Sequence, residues 1–434
     1  MKKAFQPSRV KINSLHIDGY GVTDESKLSV FGALAGEELT VMPFSKRKRK
    51  VFAKTTEVHV ASPHRVIPVC DAAGFCGGCS LQHFESTAQI EYKHQYLVDT
   101  LVEALGKQPV NYYFPPMTGP VINYRSKGRL GVKFVEKKNR VLVGFREKMK
   151  PYISDMSDCS VLRDSVSSLL PKLQELITAL SVVKSLPQIE LAAGDEDTAL
   201  VFRHLEALNE GDMFLLKKFG ADNQVAIYLQ PSDLDSVWKL FPSGGKERLH
   251  YALPDFDLKY SFHPLDFTQV NLQINRKMVQ MAIDLLELKS QDRVFDAFCG
   301  IGNFSLALAR KSKQVMGIEG SNTCVARAIE NAEQNGIINC DFQARDLFVE
   351  SLDIPGLEAI NKVLLDPPRS GALEVCKKLA RTQVERVVYV SCNPVTLARD
   401  AAILIENGFI LDGAGVIDMF PHTTHVESIA CFIK

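Results

Sequence analysis

At 434 residues the chain is longer than one hydrophobic core usually supports, so two or three domains are expected. Hydrophobic residues make up 46% and charged residues 24%, an ordinary globular composition, and no run approaches the roughly 18 apolar residues of a membrane span. Lys plus Arg and Asp plus Glu balance at 51 each, which excludes a uniformly basic or acidic protein but leaves room for local concentrations of charge.

The start, MKKAFQPSRVKIN, has lysines with no apolar stretch behind them, so a cytoplasmic protein with reduced cysteines is expected. Residues 1–66 alternate short β-rich segments with turns (RVKINSLHI, DGYG, LSVFGAL, AGEE, LTVMPF), a spacing that predicts a small β-barrel. The tract KRKRK at 46–50 falls on a loop between its later strands. The cysteine-rich CDAAGFCGGC (70–79) follows, then a predicted helix over 86–106. Residues 121–150 hold ten Lys or Arg against Glu136 and Glu147, a local net charge of +8. With Tyr124, Phe134, Phe145 and Tyr152 interleaved, the two basic tracts read as a nucleic-acid surface with stacking groups rather than a solvated face. Residues 160–255 mix helix-like and strand-like segments without a chemical motif. From about 265 onward strands and helices alternate, the signature of a parallel sheet with crossover helices. Boundaries near 66 and 260 divide the chain into 1–66, 67–260 and 261–434.

The glycine loop DAFCGIGNF (296–304) lies between a strand and a helix but lacks the third glycine of a dinucleotide fingerprint. Glu319, Asp346 and Asp366 end the next three strands, lining the crevice where open parallel sheets bind ligands. A wall of acids repels a pyrophosphate and suits an adenosine with a positive centre, S-adenosylmethionine, with NAD(P) as the alternative. In LLDPPRSG (364–371) the prolines build a rigid rim, and Asp-Pro-Pro-Arg departs from the Asn-Pro-Pro-aromatic run of methyltransferases that act on planar amines.

YVSCNPVTLARD (389–400) sets Cys392 at a strand end, before a helix whose first turn holds Pro394. A thiol so placed is expected to have a lowered pKa, although a core cysteine is the alternative. Carbon acceptors such as C5 of uracil need a thiolate added at C6 and then a base to remove the C5 proton. The base candidate is Glu427, in MFPHTTHVESIACF, with His422 and His425 as competitors. Cys70, Cys76, Cys79 and the remote Cys159 supply four thiolates, enough for zinc or for an iron–sulfur cluster. Their spacing does not fit the CxxxCxxC of radical enzymes.

FTQVN (267–271), DAFCGIGNF, DPPRSG, SCNPVTLARD and HVES, in this order, resemble the RNA 5-methyluridine methyltransferase family. The N-terminal segment resembles a TRAM domain, and the cysteines are similar to the iron–sulfur site of the ribosomal-RNA members. The resemblance implies an α/β protein with a C-terminal Rossmann-like S-adenosylmethionine-dependent methyltransferase domain. Before it would stand an OB-like β-barrel (TRAM) and a central α+β domain carrying a [4Fe–4S] cluster on Cys70, Cys76, Cys79 and Cys159. Cys392 would be the nucleophile and Glu427 the base. Gln269, Phe298, Asn303, Glu319, Asp346 and Asp366 would line the S-adenosylmethionine site, Asp366 also standing near the uracil. Arg369 and Arg399 would orient the site or form structural ion pairs, and Cys299 would pack. The implied partner is 23S rRNA, with another rRNA or tRNA uridine as the alternative and no obligate protein partner for an expected monomer. A reading from a different class, an RNA-binding iron–sulfur redox sensor, is disfavoured by the joint presence of Cys392 and Glu427.

Overall fold

The computed structural model describes residues 6–434 apart from 25–26, 48–49, 108, 245–246 and 380–381, so the middle of the KRKRK tract lies outside the described residues. Seven of the eight strands of the largest described sheet come from the C-terminal region: β1 (Arg293–Ala297), β2 (Gln314–Glu319), β3 (Cys340–Ala344), β4 (Lys362–Leu365), β5 (Arg386–Ser391), β6 (Ile410–Ile417) and β7 (Glu427–Ile433). They pair in the order β3-β2-β1-β4-β5-β7-β6. The first five are parallel, and β7 inserts antiparallel to both neighbours. The chain winds outward from β1 to β3, then returns to lay β4 on the other side of β1. The switch point therefore falls between the carboxyl ends of β1 and β4, where such sheets open a ligand crevice.

Both faces of this sheet are covered, so its strands are nearly continuous apolar runs whose successive residues enter different cores. Val294, Leu364, Val388 and Val390 pack with the helix Leu272–Leu286. Phe295, Val363, Leu365, Val387 and Tyr389 pack with the helices Ser86–Leu105 and Pro394–Glu406. The helix Ser86–Leu105 thus serves the C-terminal sheet despite its early position in sequence. The strand Tyr112–Tyr113 does so too, extending the sheet beside β6.

At the N-terminus six strand segments pair in one sheet. Ser8–Lys11 pairs with Glu38–Arg47 at one end of the strand order, and Ser14–Leu15 with Tyr20–Val22 at the other. These first two segments are halves of one bent stretch, so the sheet closes on itself as a five-stranded barrel. Ile12, at the bend, is fully buried in the barrel core with Val30, Leu39 and Val41. The motif-poor stretch 160–255 supplies Gln188–Ala193, Thr198–Arg203, Ala226–Gln230 and Trp238–Phe241 to a second six-stranded sheet, completed by Lys127–Val135 and Arg140–Gly144 of the basic region. Among the described residues no helix is long and apolar enough to cross a membrane.

Candidate active site and cysteine site

Beyond β1 the chain turns through Phe298 (φ 65°), Gly300 (φ 55°) and Gly302 (φ 87°), all in the left-handed region that glycine adopts most easily. Phe298 is held there by its N–H to the Ile318 carbonyl, at 2.8 Å. The Glu319 carboxylate ties this loop to β2, accepting from the N–H of Gly300 at 3.2 Å and of Ser321 at 3.0 Å. The Asn303 side chain is bound to Asn275 by two hydrogen bonds and accepts a third from Tyr251 Oη at 2.8 Å. Behind the loop, Asp296 is fully buried, and burial pushes its pKa to about 8.

A cavity of about 730 Å³ opens at the switch point. Gln269, Phe298, Asn303, Glu319, Asp346, Asp366, Cys392 and Glu427 all line it, so the sequence-predicted cofactor and catalytic residues meet in one place. Tyr251, Phe267 and Phe420 line it as well and were not singled out from sequence. Phe267 lay inside the quoted FTQVN and is 70% exposed, an aromatic left in solvent at a cavity wall. Cys299, read as packing, is 4% exposed yet also reaches the lining.

Cys392 follows the last residue of β5. The final ladder pair between β5 and β7 is Ser391 with Ser428, so one further step sets Cys392 opposite Glu427. The turn is fixed from within the same domain. Asn393 caps the helix Pro394–Glu406 through its Oδ1, which accepts from the Val395 N–H, while its Nδ2 donates to the Arg369 carbonyl at 3.0 Å. Buried Asp400 accepts from Tyr389 Oη (2.7 Å), the Ala372 N–H (2.6 Å) and Arg399 Nε (2.8 Å), locking the Asp-Pro-Pro-Arg loop to this helix. Arg399 also donates to the Ser370 carbonyl, so it is the structural partner and Arg369 the cavity residue.

The lowered thiol pKa expected at the helix N-terminus is not found. Burial, reinforced by Glu427 and Asp366, pushes the Cys392 pKa up to about 11, and Arg369 offsets this only in part. The helix end cannot compete with desolvation plus two carboxyl groups. Burial also pushes Asp366 up to about 7, and burial with Asp366 holds Glu427 well above the usual carboxylate range.

The two histidines separate. His425 lines the cavity beside Arg369, whose Nη2 is 2.8 Å from its Nδ1 and 3.3 Å from its Nε2. Burial and then Arg369, Arg125 and Lys93 lower its pKa to about 4. His422 is buried outside the cavity lining, where its Nδ1 and N–H meet the side-chain amide of Gln89. That position removes His422 as a base candidate.

Cys70, Cys76, Cys79 and Cys159 are each at most 7% exposed and line one small void with Phe145 and Met156. Burial raises the thiol pKa of Cys70, Cys159 and Cys79, the last to about 12. Among the described residues no three His, Cys, Asp or Glu side chains close around a point that could hold one metal ion. Cys76 bridges to Glu147, and Lys148 Nζ donates to the Ala73 carbonyl at 2.6 Å, joining the cysteine segment to the basic region. The aromatic stacking groups expected there are mostly otherwise engaged. Tyr124 is buried with its hydroxyl on the Pro421 carbonyl, and Phe145 lines the cysteine void, whereas Tyr152 is 63% exposed.

A doubly wound sheet with an acid-lined cavity at its switch point and a thiol on the rim defines a Rossmann-like enzyme domain. Residues 246–434 match the family model described as tRNA (Uracil-5-)-methyltransferase. The chain is 44% identical to the 23S rRNA (uracil(1939)-C(5))-methyltransferase RlmD of Hahella chejuensis, over 98% of this chain and 96% of that one. It is 46% identical to the enzyme of the same name from Cupriavidus metallidurans, over 98% and 94%. Its structure is similar to that of the Pyrococcus abyssi tRNA (uracil-54, C5)-methyltransferase in complex with S-adenosyl-L-homocysteine, with a TM-score of 0.75, 26% identity, and coverage of 98% of this chain and 100% of that one. The chain belongs to the RNA uracil-C5-methyltransferase family.

Proposed function

We propose that this protein transfers the methyl group of S-adenosylmethionine to C5 of a uridine in 23S rRNA, position 1939 by analogy with its relatives. The observation that carries the reading is Cys392 facing Glu427 in the cavity lined by Glu319, Asp346 and Asp366. Bound there, S-adenosylmethionine supplies the methyl group and a positive centre. Gln269, Phe298, Asn303, Glu319, Asp346 and Asp366, which line the cavity together, are the residues to hold it.

Cys392 adds to C6 of the flipped uracil, turning C5 into a nucleophile. After methylation Glu427 takes the C5 proton, and the C6–S bond breaks as the C5–C6 double bond returns. A carboxylate held well above its usual pKa is a strong base once ionised, which suits a proton on carbon. Burial, then Glu427 and Asp366, pushes the Cys392 thiol up to about 11, so neutralising those carboxyl groups favours the thiolate that attacks.

Cys70, Cys76, Cys79 and Cys159 are proposed to hold a [4Fe–4S] cluster. The reading is supported by four buried cysteines that line one void, one thiolate for each iron of such a cluster. The cluster staples the cysteine segment to the basic region, which with the barrel, read as a TRAM domain, binds the flanking RNA. The division into residues 1–66, 67–260 and 261–434 is part of the same proposal as an order along the chain, with Ser86–Leu105 and Tyr112–Tyr113 of the middle segment packed on the C-terminal sheet. Mapping 5-methyluridine in rRNA from cells with and without the gene tests the function. Loss of methylation at one 23S uridine is expected, and unchanged rRNA would refute it.

A further inference from the structure

Two buried polar side chains of the helix Ser86–Leu105 have no part in the proposed reaction. Ile90, Leu97 and Leu101 form the stripe by which this helix packs on the C-terminal sheet. Lys93 stands three residues after Ile90 and four before Leu97, so it belongs to that stripe, where helical spacing calls for another apolar residue. It is 1% exposed, and so is Gln89 one turn earlier. A lysine is almost never buried so fully unless it is paired.

Both side chains find partners in the loop between β6 and β7. Lys93 Nζ donates to Asp418 Oδ1 at 2.9 Å and to the Phe420 carbonyl at 3.0 Å. Gln89 Oε1 accepts from the His422 N–H at 2.9 Å, and its Nε2 lies 3.1 Å from His422 Nδ1. Successive turns of one helix therefore grip residues 418, 420 and 422 of one loop. We propose that Lys93 is a positioning residue for methyl transfer, holding, with Gln89, the loop that shapes the Cys392 end of the cavity. This rests on the reading of the site as a uracil-C5 methyltransferase.

The gripped segment is the one the chemistry depends on. Ile417 pairs with Glu427 where the β6–β7 ladder ends, so Asp418 is the first residue beyond the pair that places the base. Phe420 and His425 line the cavity with ring centroids 5.1 Å apart, and His425 lies against Arg369, a neighbour of the Cys392 thiol. A buried ion pair is a weak source of stability, because apolar side chains of similar volume often serve as well or better. What Lys93 adds is direction. A leucine could fill its space but could not hold the Phe420 carbonyl. Rates respond steeply to such placement, since a shift of about 1 Å caused far from the chemistry can cost about 100-fold.

The test measures 5-methyluridine formation by full-length enzymes on an rRNA fragment. Lys93→Met/Asp418→Leu removes both charges together, so neither is left buried and unpaired. Its Tm should stay within a few degrees of wild type while kcat falls about tenfold, with KM for S-adenosylmethionine and for RNA within about threefold. Lys93→Arg, which keeps a charged donor, should recover a large share of kcat. The proposal is overturned if the double variant keeps kcat within about threefold of wild type, loses KM instead, or melts below the assay temperature. A Lys93→Arg kcat no higher than that of the double variant overturns it too. Wild-type enzyme that forms no 5-methyluridine would instead overturn the methyltransferase reading on which it rests.

Discussion

Cys392 and Cys79 are both thiols whose pKa burial raises, to about 11 and about 12. Their settings are nonetheless opposite. Cys392 ends a strand at a 730 Å³ cavity, with Glu427 across the ladder and Asp366 and Arg369 beside it. Cys79 shares a small void with three other cysteines, among apolar side chains. A buried thiol is inert by itself. Its neighbours decide what it can do, a carboxyl group and a wide cavity in one case, three further thiols in the other.

The sharpest way to break this comparison is to remove one thiol from each setting. Cys392→Ala is expected to abolish 5-methyluridine formation while RNA affinity, read by a filter-binding or gel-shift titration, stays within about threefold of wild type, because the cavity thiol forms the bond but holds little of the RNA. Glu427→Gln should slow turnover by about 10²–10⁴-fold and leave enzyme covalently attached to RNA as a slow band on a denaturing gel. No band would point to another base. Cys159→Ser, in the other setting, should remove broad absorbance near roughly 400 nm from anaerobically purified protein and lower its Tm. Colourless wild-type protein with bound zinc would reverse the metal assignment.

The smallest effect concerns the carboxyl groups around Cys392. Asp366 titrates near 7 in the folded protein and near 4 when unfolded, so between those values the folded state binds the extra proton. Stability therefore falls as pH rises from about 4 to about 7, and the loss is complete above that window. Asp366→Asn should gain Tm relative to wild type by a few degrees between about pH 5 and about pH 8, measured by calorimetry. A gap that does not change with pH would mean that Asp366 is not held protonated.

The C-terminal domain was legible because its chemistry sits at strand ends. Period and turn signals place Glu319, Asp366 and Cys392 at the carboxyl ends of parallel strands, and the antiparallel return of β7 sets its first residue, Glu427, at the same edge. Less could be read where the environment sets the property. The helix N-terminus suggested a reactive thiol at Cys392, but its pKa is raised by burial and then by Glu427 and Asp366, which reach it from other strands. His422 and His425, three residues apart, could not be told apart until Gln89 and Arg369 were seen to claim one each. Tyr251, from the hairpin before the catalytic sheet, gave no signal at all, since a tyrosine in an alternating strand reads as core. The helix Ser86–Leu105 was predicted as an element, yet nothing in its sequence says that its apolar face covers a sheet formed 200 residues later.

The central claim is that Cys392 bonds to the uracil and Glu427 releases it. Glu427→Gln incubated with rRNA and S-adenosylmethionine, then digested with nuclease and protease, should yield one peptide containing Cys392 with the mass of a methylated uridine nucleotide added. A nucleotide found on any other residue, or no modified peptide at all, would contradict it.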